Sequence, residues 1–67
     1  MSVVPISKVK MIDMVNRKGF ACICLNNLTE GSTPGQAYDR MRKAVKRSGG
    51  HLPDATAVDL KKCLVDL

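Results

Sequence analysis

Turn-forming residues at Lys18-Gly19, Thr29-Glu30-Gly31-Ser32-Thr33-Pro34 and Ser48-Gly49-Gly50-His51-Leu52-Pro53 divide the chain into four apolar-containing segments. In the first, Val9, Ile12 and Val15 recur at helical spacing with Met11 and Met14 beside them. Ser7 can cap this segment and Gly19 can end it, which predicts a helix over about 8–18. The second segment, Phe20 to Leu28, is apolar at nearly every position up to Asn26, so it is buried whatever its backbone does. Periodicity does not separate a buried helix from a short strand over Phe20 to Leu25 beside Val3 to Ile6. A helix is the reading adopted, because an isolated strand pair is hard to stabilise in so short a chain.

The third segment carries the clearest signals. Thr33 is a cap residue, Pro34 suits the first helical position and Gly49-Gly50 is a stop, predicting a helix over about 34–48. Ala37, Met41, Ala44 and Val45 form its apolar stripe, with Tyr38 at the edge, while Gln36, Arg40, Lys43 and Arg47 line a different face. A last helix starts near Pro53-Asp54-Ala55 or Thr56 and runs close to the C-terminus, with Ala57, Leu60, Cys63, Leu64 and Leu67 as its core stripe. Val58 and Val65, seven residues apart, form a second apolar stripe. The predicted fold is all-α, a compact bundle of four short helices in a single small domain spanning residues 1–67.

Composition sets the scale of that core. Sixty-seven residues with one Phe, one Tyr and no Trp leave a thin core of aliphatic residues, Met, Ala and Cys, and chains this small often need a partner or a second copy. A homodimer built on the Val58 and Val65 stripe is expected. Cys22, Cys24 and Cys63 are an odd number, which fits reduced thiols in the cytoplasm better than a disulfide scaffold. No run approaches the roughly 20 apolar residues of a membrane span, and a membrane-surface role is not expected either, since the apolar side of the third helix lacks bulky groups to insert.

Charge is the feature that points toward function. The net charge is +5, and five cations, Arg40, Arg42, Lys43, Lys46 and Arg47, fall on the third helix. A basic helix face neutralises phosphates and can read base edges in the major groove. The structural alternative is a solvated face with Asp39 and Lys43 as an ordinary i,i+4 pair.

The element order also resembles the small phage repressors of the Cro type. Lys10-Met11-Ile12-Asp13 opens the first helix, Phe20 to Leu28 is the supporting helix, Thr33-Pro34-Gly35-Gln36-Ala37 starts the recognition helix and Leu52-Pro53-Asp54 enters the last. The sequence departs from that family at the turn, where Thr29 to Thr33 makes a longer connection. The resemblance implies a helix-turn-helix transcriptional regulator of double-stranded DNA, a repressor working as a homodimer. Thr33 and Gln36 would then face bases, and Arg40, Lys43, Lys46 and Arg47 would serve bases or phosphates. The rival function is a small basic interaction module or inhibitor that binds an acidic surface of another protein, such as one from a host.

Other chemistry finds less support. One residue between Cys22 and Cys24 is short of the two to four usual in zinc sites, so the cysteines are expected in the core without a metal or other cofactor. His51 lies in a turn without a nucleophile and orienting carboxylate nearby in sequence, so no enzyme is expected.

Overall fold

The computed structural model describes residues 2–14 and 18–65. Its longest element is the helix that the sequence announces most plainly, α1, Pro34–Arg47. The Thr33 hydroxyl accepts from the Gln36 N–H at 3.1 Å, and Pro34 needs no such partner at the first helical position. Gly49, at φ 87°, turns the chain away after the helix.

The residues ahead of α1 form strands, which overturns the all-α reading. β1 is Ser2–Val3, and a 3-10 turn at Ile6–Lys8 leads into β2, Val9–Asp13. β3, Phe20–Cys24, and β4, Asn27–Gly31, complete an antiparallel sheet in the order β2-β3-β4. After α1, β5 (Gly50–His51) pairs in parallel with β1, and α2 is Ala57–Lys62. The chain is thus mixed α and β rather than a four-helix bundle. The segment before α1 is a strand, so the supporting helix of a helix-turn-helix is not formed. Of the predicted first helix, residues 15–17, including Val15 and Arg17, lie outside the described residues.

Period-two burial explains why strands win. Val9 and Met11 are buried while Lys10 between them is exposed, and in the register Met11 opposes Cys22, which opposes Thr29. These residues face α1. Met11, Cys22 and Cys24 form the core with Ala37, Tyr38, Met41 and Val45 of α1, and with Val4, Leu52 and Leu60 from around β1, β5 and α2. Thr29 donates its hydroxyl to the Ala37 carbonyl at 2.8 Å, fastening β4 to the helix. Tyr38 does the same for the chain entering α2, its hydroxyl donating to the Pro53 carbonyl at 2.6 Å.

The last helix is shorter than its apolar pattern suggests. A capping box at Thr56 and Asp59 starts it, but it stops at Lys62 because the following residues join the sheet edge. Met11 donates its N–H to the Cys63 carbonyl, and Val65 donates to the Met11 carbonyl, both at 2.9 Å. Val65 therefore lies in extended chain beside β2, and Val58 and Val65 do not share a helical stripe. Leu67 lies outside the described residues.

Candidate nucleic-acid interface

With Ala37, Tyr38, Met41 and Val45 buried, the helical turn aims the other side of α1 at solvent. Two shallow grooves flank that side. One, toward β4, is bounded by Leu28, Thr29, Arg40, Lys43, Ala44 and Arg47. The other is bounded by Asp39, Arg42, Lys43, Lys46, His51 and Leu52. Lys43 borders both, so it stands on the crest between them.

The predicted contact residues divide into two groups. Thr33 and Gln36 are occupied by the helix start: the Thr33 hydroxyl accepts the Gln36 N–H, while the Gln36 side-chain carbonyl accepts from the Ser32 N–H and hydroxyl, both at 2.7 Å. Arg40 reaches sideways, donating through Nη1 to the Glu30 carbonyl at 2.8 Å, which anchors its guanidinium over the outer edge of β4. Lys43, Lys46 and Arg47 are exposed and make no hydrogen bond or ion pair among the described residues. Arg42 is the fifth helical cation and is neutralised by Asp54 at 2.9 Å. The Asp39–Lys43 ion pair of the alternative, solvated-face reading is not formed. Lys46 and Arg47 also complement the negative end of the helix dipole, which acts only over the last turn and does not account for Arg40 or Lys43.

Sequence reasoning missed β4 as the wall of this site. Asn27-Leu28-Thr29-Glu30-Gly31 carries no apolar alternation, since the residue facing the helix is Thr29 and Leu28 is exposed, so the segment reads as a turn.

The thiols lie beneath the helix. In a strand Cys22 and Cys24 point to the same face, and both are buried. Burial, with smaller contributions from Cys24 and Cys63, pushes the Cys22 thiol up to about 12, against a small lowering by Thr29. Burial also raises Cys24 and Cys63. Thiols held protonated are poor nucleophiles and poor metal ligands. Among the described residues no three His, Cys, Asp or Glu side chains gather closely enough to hold a metal ion. Nor is any helix of the described residues long and apolar enough to cross a membrane. Comparison of the chain with known protein families, curated proteins and solved structures finds no match.

Proposed function

We propose that the protein is a nucleic-acid-binding module that grips the phosphate backbone of duplex DNA with the solvent-facing side of α1. The observation that carries this reading is the row Lys43, Lys46 and Arg47, three exposed cations on one rigid helix with no acidic partner among the described residues. Arg40 extends the row toward β4. Unneutralised Lys and Arg release counterions when they meet phosphates, which gives affinity without sequence preference. Thr33 and Gln36 are spent on capping, so base reading from the start of the helix is not part of the proposal; contacts that position are separate from contacts that specify.

A second reading draws on β4. Its outer edge has no strand paired to it among the described residues, so an extended acidic peptide could add alongside it under Arg40, Lys43 and Arg47.

Fluorescence anisotropy of a random-sequence duplex across a salt series tests the first reading. Binding at low salt should fall steeply as salt rises, and Lys43→Ala with Arg47→Ala should flatten the slope by roughly one unit per lost cation. Absence of duplex binding at low salt sinks the proposal, as does a double variant that keeps the parental slope.

A further inference from the structure

The groove on the side of the Lys43 crest away from β4 carries chemistry that a straight row of cations does not need. Asp39, Arg42, Lys43 and Lys46 line one wall at spacings of three and four residues, so they share one stripe of α1. The other wall is the chain that leaves the helix. A β-carbon on Gly50 would stand 2.7 Å from Val45 Cγ1, and the Pro53 carbonyl accepts from the Tyr38 hydroxyl at 2.6 Å. This chain therefore runs back along α1 and sets His51 across from the stripe, with the buried Leu52 beneath. The space between the walls is about 270 Å³. Three cations face two carboxylates there, Asp39 and the Asp54 that holds Arg42 at 2.9 Å, so the balance stays positive. The ion pair steadies Arg42 without exhausting it, because a guanidinium carries five N–H donors in a rigid fork.

We infer that this groove takes a terminal phosphate, the phosphomonoester at the end of a DNA strand. The nucleic-acid partner rests on the reading given under Proposed function; the preference for a monoester comes from the groove itself. A phosphate within a strand carries one negative charge, whereas a terminal monoester carries close to two at neutral pH on three acceptor oxygens. Arg42, Lys43 and Lys46 from one wall and a ring N–H of His51 from the other supply donors on both sides of such a group. A duplex is convex and lies across the crest, so its continuous backbone meets Lys43, Lys46 and Arg47 without entering the space beside them. A strand end can drop in. Lys43 borders both grooves, so a strand whose terminal phosphate sits beside His51 leads over Lys43 toward Arg47 and Arg40. This continuity favours a nucleic acid over a phosphorylated protein. Asp39 gives the site a direction: at a rise of 1.5 Å per residue it lies about 10 Å along the helix from Lys46. The dianion is repelled from that end and held at the Lys46 and His51 end.

Fluorescence anisotropy with internally labelled duplexes of one sequence tests this, the strands ending in 5′-phosphate, in 3′-phosphate or in hydroxyl groups only. At one salt concentration a phosphate-ended duplex should bind about tenfold more tightly than the hydroxyl-ended one. The 5′ and 3′ arms show which end the groove takes. His51→Ala should cut that preference by about threefold or more while leaving affinity for the hydroxyl-ended duplex at the parental value. Asp39→Asn should enlarge the preference. Both side chains are exposed, so both variants should keep the parental circular dichroism. Equal affinity for all three duplexes overturns the inference and leaves backbone binding standing. Binding to a phosphate-ended duplex alone supports the groove and overturns the backbone reading. A preference unmoved by His51→Ala overturns the inference as well, as does a phosphoserine peptide that binds more tightly than either phosphate-ended duplex.

Discussion

Gly31 and Ala37 meet backbone to backbone: a β-carbon on Gly31 would stand 2.5 Å from the Ala37 nitrogen and 2.9 Å from the Gln36 carbonyl carbon. The first turn of α1 rests directly on the end of β4, which lets the Thr29 hydroxyl reach the Ala37 carbonyl. The height of the basic helix above the sheet is thus set by the absence of a side chain. Gly31→Ala should lower unfolding stability by about 1–3 kcal/mol, the usual result of forcing an extra carbon against atoms that cannot yield. The opposing atoms are backbone, so the upper part of that range is expected. A urea midpoint equal to the parent's would show that α1 can lift off β4 freely.

The β3–β4 hairpin stores strain at its tip. Cys24 opposes Asn27, leaving Leu25 and Asn26 as a two-residue turn, and Leu25 has φ 56°. A side chain in this left-handed region costs roughly 1–2 kcal/mol, and a first turn position with positive φ is one that glycine favours. Leu25 is exposed, so little packing is lost on its removal. Leu25→Gly adds back about 0.5–1 kcal/mol of unfolded-chain freedom, which leaves a net gain of a few tenths to about 1 kcal/mol. The Tm should rise by a few degrees in calorimetry; a fall would mean that Leu25 makes a contact worth more than its strain.

The same turn shows why the strands were hard to read from the sequence. Hairpins with two-residue loops announce themselves by Asn-Gly or Asp-Gly, and Leu25-Asn26 gives no such sign. β3 is apolar on both faces because Phe20, Cys22 and Cys24 meet the core while Ala21, itself buried, and the half-buried Ile23 point to the other side, and this erases the alternation that marks a strand with one solvent face. In β2 the spacing of Val9 and Ile12 imitates a helical stripe, although these two residues point to opposite faces. α1 was legible because its signals are local: Thr33, Pro34 and the glycines after Ser48 act within a few residues of the helix ends. The cations of the candidate site were legible for the same reason, since position on a helix fixes direction. The capping roles of Thr33 and Gln36 and the reach of Arg40 to β4 depend on neighbours outside the apolar pattern, and no periodicity within one segment encodes them.

The buried thiols make stability sensitive to alkali. Burial raises all three, Cys22 to about 12 from an ordinary 9.0. Below pH 9 both folded and unfolded chains hold the Cys22 proton, and its contribution is fully present. Above that the unfolded thiol ionises while the folded one does not, so the unfolded chain binds fewer protons and stability falls with rising pH until the folded thiol itself ionises near 12. Cys24, Cys63 and Tyr38 are raised as well and act in the same sense. Calorimetric scans from about pH 7 to about pH 10.5 should therefore show a Tm that declines above pH 9. Lysines also begin to lose charge in that range, so the comparison that decides is Cys22→Ala. This variant should start from a lower Tm, because it leaves a void beneath α1, yet decline less steeply than the parent. Equal slopes for the two proteins would show that the Cys22 thiol ionises as readily in the folded chain as in the unfolded one.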